Sequence, residues 1–265
     1  MIHRPQYIFR SGELFIQDDT TVPMEIPEEF AGSVADSIDL TLAGIPSRAI
    51  LLSDEAPQSP APVPAPAAAK GHWLRLREIF GSTDPALRRL ASPAARALGL
   101  INWHHTSRFC GKCGAPLVDH GKEIARLCSQ CGSVSYPRIS PAIIVVVEKE
   151  GQILLARHSY RNQDMYACVA GFLEHGETLE ECVAREVREE IGIEIQKIRY
   201  AGSQSWPYPD QFMIAFRAEW KSGDIRVDPS EILEAKWFDR DNLPNHPMPG
   251  TVAWNLIHGV FNPET

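Results

Sequence analysis

Leu179, Val183, Val187 and Ile191 recur every four residues, which lays one apolar stripe along a helix over residues 178–191. Thr178 can cap its first turn and Gly192 can stop it. Residues 142–147 read A-I-I-V-V-V, a continuous β-branched run that predicts a buried strand. Residues 152–158 follow as its hairpin partner, turned through Lys149-Glu150-Gly151. Residues 212–220 alternate as a strand does, whereas residues 203–213 set Pro207 and Pro209 among aromatics and predict a rigid, extended loop. Residues 230–235 predict a short helical stretch carrying Glu231 and Glu234. Upstream, residues 84–98 predict two helical segments, with Pro85 near a start and Ser92-Pro93 as a break. Residues 56–70 are rich in proline and alanine, which predicts an extended loop or linker. The chain up to residue 103 mixes strand and turn signals and reads as a separate domain. No internal repeat is visible.

The polar positions of the 178–191 helix carry the chemistry. Glu186, Glu189 and Glu190 stand three and four positions apart, on adjoining parts of one helix surface. Carboxylates so close repel one another unless a cation sits among them. Hard oxygen donors at that density suit Mg²⁺ or Mn²⁺, which would also bind a diphosphate. Arg185 lies four residues before Glu189 and can pair with it. Gly171 and Gly176 bracket a tight turn ahead of the helix. A charged, solvated helix face would also account for the glutamates; the strand, glycine turn and acidic helix together favour a metal–diphosphate site.

Six cysteines add a second metal. Cys110 and Cys113 form one C-x-x-C pair, and Cys128 and Cys131 form another, with fourteen residues between the pairs. Four thiolates at this spacing predict a closed tetrahedral zinc site in a ribbon over residues 104–137; the same four sulfurs also suit iron. A complete Cys₄ set leaves no position for water, which assigns the zinc to folding. Paired spacing of this kind belongs to a reducing compartment and not to a disulfide framework. Cys168 and Cys182 read as small core residues.

Net charge bounds the partners. At −8 over 265 residues, 44% of them hydrophobic, the chain lacks the basic footprint of a duplex DNA binder. No apolar run is long enough for a membrane, and the start of the chain lacks a signal-peptide core, so a cytoplasmic enzyme is expected.

Residues 171–193 read G-F-L-E-H-G-E-T-L-E-E-C-V-A-R-E-V-R-E-E-I-G-I. Gly171, Glu177, Arg185, Glu186, Val187, Glu189, Glu190, Gly192 and Ile193 occupy the fixed positions of the pattern that marks Nudix hydrolases, and the chain resembles that family. The resemblance narrows further on. A Cys₄ ribbon ahead of the box, followed by S-Q-S-W-P-Y-P-D-Q at residues 203–211, is similar to the bacterial NADH pyrophosphatases, also called NAD-capped RNA hydrolases. Tyr208 stands where that family has phenylalanine, and Gln211 where it has serine. Residues 249–253, P-G-T-V-A, look like its C-terminal substrate segment.

The resemblance implies an α+β architecture. A Nudix α/β/α sandwich with a mixed sheet, residues 138–262, would follow the ribbon and an N-terminal mixed α/β domain, residues 1–103. It implies two or three Mg²⁺ or Mn²⁺ ions held by the Ala170 carbonyl, Glu186, Glu190 and Glu231, with Glu189 as a further ligand and either Glu186 or Glu189 as the base. Arg77, Tyr136, Phe172, Gln204, Ser205, Trp206, Pro207, Tyr208, Pro209, Asp210, Gln211 and Ala253 would meet substrate. The expected activity is hydrolysis of NAD(H) to the nicotinamide mononucleotide and AMP, with removal of the NAD cap from RNA. ADP-ribose or another nucleoside diphosphate is the alternative substrate. A homodimer is expected, with Tyr136 donated across it.

Overall fold

The computed structural model describes residues 3–54, 70–159 and 164–261. The proline- and alanine-rich stretch foreseen at 56–70 lies outside them except for Lys70. The chain divides into two compact units, Met1–Ile139 with Pro207–Asp210, and Ser140–Trp206 with Gln211–Thr265.

In the first unit, β1 (Gln6–Arg10), β2 (Glu13–Gln17), β3 (Val34–Leu42), β4 (Ile45–Leu52) and β5 (Gly71–Arg75) form a sheet in the order β3-β4-β1-β2-β5. A short helix, α1 (Glu28–Ala31), precedes β3, and α2 (Leu76–Gly81) and α3 (Pro85–Thr106) follow β5. Phe9, Leu14, Ile16 and Leu42 from the sheet share a core with Leu76, Ile79, Leu98 and Ile101 from the helices. The helical stretch is one continuous element and not two broken at Pro93. Proline removes one backbone bond, and burial of Ala94, Ala97, Leu98 and Ile101 beyond it outweighs that loss. The helix also runs through the junction foreseen at residues 103 and 104. The ribbon strands β6 (Leu117–Asp119), β7 (Arg126–Cys128) and β8 (Val134–Ser135) then form a small antiparallel sheet.

The second unit is a six-stranded mixed sheet between two helices. Its strands are β9 (Ser140–Lys149), β10 (Gln152–His158), β11 (Val169–Phe172), β12 (Glu194–Trp206), β13 (Gln211–Ser222) and β14 (Ile232–Asp239), ordered β12-β13-β9-β10-β14 with β11 on β9. Parallel pairing of β13 with β9 makes the sheet mixed. On one face, α4 (Leu179–Ile191) buries Val183, Val187 and Ile191 against Ile143, Val145 and Phe216. On the other, α5 (Val252–Ile257) buries Val252, Leu256 and Ile257 against Ile144, Val146 and Ala215. Cys168 and Cys182 are buried core residues. Among the described residues, no helix is long and apolar enough to cross a membrane.

Two local expectations are corrected. Residues 203–206 are not loop: they pair with 211–214 as the end of β12. The prolines fall in the turn at 207–210, where no ladder donor is needed. Residues 230–235 are not helical. Glu231 ends a turn, and Ile232 begins a strand paired with β10; six residues are too few for periodicity to separate helix from strand.

Helix α4 is closed at both ends. The Thr178 hydroxyl accepts from the Glu181 amide at 3.2 Å, and the Glu181 carboxylate accepts from the Thr178 amide at 2.8 Å. Gly192 ends the helix with φ +80°, a left-handed value suited to glycine. Thr178→Ala is expected to cost about 1 kcal/mol, read as a lowered denaturation midpoint with an unchanged slope.

Candidate active site

Helix α4 brings the box glutamates together because its apolar stripe fixes which way it faces. Glu186 and Glu190, one turn apart, point toward the sheet and are 9% and 5% exposed. Glu189 lies outward, its side chain 59% exposed. Arg185 organises the cluster. It donates to Glu177 at 2.5 and 3.0 Å, to Glu186 at 2.8 Å, to Glu189 at 3.0 Å and to the Phe172 carbonyl at 3.1 Å. The expected Arg185–Glu189 pair is therefore one arm of a larger network, whose strongest member is Glu177. That guanidinium holds the Glu177 carboxyl down at about 2.

Glu190 receives none of this. Its Oε2 is buried and has no hydrogen-bond partner. Burial first, and then the charges of Glu186, Glu231 and Glu189, push its carboxyl up to about 8. Burial also raises Glu186 despite its contact with Arg185. Glu231 joins through a backbone relay: the Asp228 amide donates to the Glu190 carbonyl at 3.1 Å, and the Glu231 amide to the Asp228 carbonyl at 3.1 Å. Sequence spacing gives no sign of this relay, which depends on a loop folding back on the helix end.

Gly171 has a different role from the turn residue foreseen. It lies within β11, where a Cβ would fall 1.9 Å from the Glu186 carboxyl carbon. Its missing side chain is the space that the carboxylate occupies. Gly176, with φ +95°, supplies the turn. Among the described residues, only the four cysteines gather three or more candidate ligand atoms within 4.8 Å of one another; the glutamate oxygens stand further apart. The donor set is nonetheless suited to a hard divalent cation. It combines carboxylate oxygens, a buried Glu190 oxygen without a partner, and neighbouring negative charges that raise the Glu190 carboxyl to about 8.

The expected substrate residues divide between the two units. In the second, Gln204 donates to the Gly250 carbonyl at 2.9 Å and accepts from the Val252 amide at 2.7 Å. This joins the β12 end to the 249–253 segment beside buried Ala253. Trp206 packs in the α5-side core and pairs with Gln211 across the hairpin, where Ser205 pairs with Phe212. Phe172 is exposed on β11, next but one to Ala170. In the first unit, Tyr208 packs on that unit's core, with its buried hydroxyl near the Arg77 backbone. Pro207 lies beside Gly99, Pro209 shares the turn, and Asp210 accepts from Arg138 at 2.6 Å. Tyr136 is exposed and donates to Glu123 at 2.8 Å. Glu123 carries no signal in the sequence, because a contact across thirteen residues of ribbon leaves no periodic trace.

Cys110, Cys113, Cys128 and Cys131 converge in the ribbon, with Cys110–Cys131 and Cys113–Cys128 sulfurs 3.7 and 3.5 Å apart. Amide groups of Lys112 and Cys113 hold the Cys110 thiol down at about 6, so a thiolate is available to a metal near neutral pH. The knuckle glycines Gly114 and Gly132 adopt φ of +76° and +72°.

Residues 137–256 match the family model described as the NUDIX domain, and residues 105–136 that of the NADH pyrophosphatase zinc ribbon domain. A NAD-capped RNA hydrolase NudC of Chromobacterium violaceum is 49% identical over 196 residues, covering 72% of this chain and 71% of that protein. The chain belongs to the Nudix hydrolase family. A NAD-capped RNA hydrolase NudC of Salmonella heidelberg is 49% identical over 191 residues, 70% of this chain and 74% of its own. The crystal structure of a NUDIX hydrolase from Nitrosomonas europaea is 26% identical, with a TM-score of 0.46, and covers 52% of this chain and 80% of that one. The four converging cysteines and the matched ribbon make this Nudix hydrolase a structural zinc protein as well.

Two outcomes are expected of this Nudix hydrolase. Gly171→Ala should displace the Glu186 carboxylate and weaken divalent-cation binding, measured calorimetrically, by about 10- to 100-fold while far-ultraviolet dichroism is kept. The second concerns pH. Because Glu190 titrates higher in the fold, at about 8, than in the unfolded chain, the folded state holds the extra proton. Without added Mg²⁺ or Mn²⁺, but with zinc retained, stability should fall as pH rises from about 4.5 to about 8, by a few kcal/mol. Denaturation midpoints at the two ends should show this slope. Glu190→Gln should flatten it, and divalent cations should offset the loss at high pH.

Proposed function

We propose that this enzyme hydrolyses the central diphosphate of NAD(H) to the nicotinamide mononucleotide and AMP, and removes NAD caps from RNA 5′ ends. The observation that carries the reading is the pairing, on one chain, of a Nudix domain with the ribbon described for NADH pyrophosphatases. The relatives' printed name and the Gln204–Trp206 segment support the same substrate.

Mg²⁺ or Mn²⁺ held by Glu186, Glu190, Glu231 and the Ala170 carbonyl would neutralise the diphosphate and lower the pKa of the attacking water. The protein groups do the rest. Arg185 directs Glu186 and Glu189 through its hydrogen bonds to both. Exposed Glu189, or Glu186, takes the proton as the water oxygen bonds to one phosphorus. The anhydride P–O bond opposite breaks, and the electron pair leaves with the second phosphate. Gln204, braced against Gly250 and Val252, fixes the wall along which the dinucleotide lies, and exposed Phe172 offers a face to a flat ring. The reading includes a cytoplasmic homodimer in which Tyr136 is donated to the partner's site.

Initial rates on NADH, NAD⁺, ADP-ribose and NAD-capped RNA test the assignment. NAD(H) and capped RNA should be cleaved well ahead of ADP-ribose; the reverse order would overturn it. Glu190→Gln should fold normally and lose about 10²- to 10³-fold in kcat, and near-normal turnover in that variant would remove the metal assignment.

A further inference from the structure

The free edge of the second unit's sheet carries a cationic groove that neither the acidic cluster nor the Gln204–Trp206 segment uses. Strand β12 is the terminal strand of that sheet. Arg199 on it stands directly opposite Arg217 on β13, and like charges so placed repel. Glu148 is the acidic group that answers them, and it is shared: Arg217 and Arg240 each donate to the same Oε1 at 2.6 Å. Lys197 pairs with Glu219 at 2.7 Å. Arg199 is exposed and has no hydrogen bond or ion pair among the described residues. Four cations thus face two carboxylates in a chain of net charge −8. The groove holds about 310 Å³, with Arg199, Arg217, Tyr200 and Phe261 along its walls. Tyr200 is 61% exposed, and Phe261 covers Gly202, where a Cβ would lie 2.4 Å from the ring.

The same strand connects this groove to the substrate segment. Arg217 shares the β13 face of Met213 and Ala215, the face covered by α5. Gln204 bonds the first turn of α5 on that face. Arg199 precedes Gln204 by five residues, about 16 Å of strand, a span of about five stacked nucleotides. Cations alternating with exposed aromatics hold single strands without reading sequence.

We propose that this groove binds backbone phosphates of the RNA chain whose capped 5′ end lies at the Gln204–Trp206 end of β12. The proposal rests on the NAD-capped RNA reading. Its test compares the wild type with Arg199→Glu and Arg199→Lys on NADH, an NAD-capped dinucleotide and an NAD-capped oligonucleotide of about ten nucleotides, at low and moderate salt. Arg199→Glu should raise KM for the long substrate about tenfold and reduce the slope of log affinity against log salt by about one. It should leave NADH and the capped dinucleotide unchanged, and Arg199→Lys should keep wild-type behaviour. An unchanged KM on long capped RNA, with normal NADH turnover, overturns the groove, as does an equal loss on all three substrates. A wild type that cleaves no NAD substrate removes the functional reading, and the groove with it.

Discussion

One arginine serves three carboxylates at the head of α4, and a fourth is left without a cation. Arg185 ties Glu177, Glu186 and Glu189 to itself and reaches the Phe172 carbonyl on β11. These bonds lock the 173–178 turn, the helix and the strand into one geometry. Glu190 sits a turn beyond, more deeply buried than Glu186, where water screens poorly and each added negative charge raises the cost of ionisation. The fold therefore leaves one carboxyl of the cluster, Glu190, pushed up to about 8 until a cation joins it. This imbalance favours a cation-binding site over a merely charged helix face.

The surrounding structure is arranged to preserve that imbalance. Burial of Val183, Val187 and Ile191 fixes the helix rotation, so Glu186 and Glu190 are forced toward the sheet. Gly171 leaves room for the Glu186 carboxylate; any larger residue would turn it away. The 228–231 turn adds a further negative charge from outside the helix by bonding the Glu190 carbonyl. Each element fixes the position of a carboxylate, as expected where polar groups are preorganised for binding.

What was legible in the sequence follows from the range over which each signal acts. The helix at 178–192 could be read because its period, its Thr178 cap and its Gly192 stop are local, and the Cys₄ ribbon because thiolate spacing is local. The 142–147 strand announced itself by composition. Residues 203–206 read as loop in sequence because Pro207 and Pro209 colour the whole segment, although both fall in the turn and the ladder ends before them. Pro93 reads as a break in sequence because burial of the residues after it is a property of the folded core. Glu231 looked helical for want of length. The role of Gly171 against Glu186, the Tyr136–Glu123 bond and the opposition of Arg199 to Arg217 exist only once strands and loops are paired, and no window of sequence contains them.

Charge distribution then links the two ends of β12. Over most of its surface an acidic chain repels a polyanion, so a nucleic acid gains nothing by settling at random. Attraction is confined to where cations outnumber carboxylates, and the described edge of the second unit supplies such a place beside β12. In the proposed reading the diphosphate end is held differently, through cations that the glutamates would recruit. On that reading, negative charge on the protein is compatible with a polyanionic substrate: metal ions would invert its sign at the reacting end, while Lys197 and Arg199 on β12 and Arg217 on β13 offset it at the edge. A general basic surface would bind duplex and single strand alike, whereas this division favours a free 5′ end threaded along one strand.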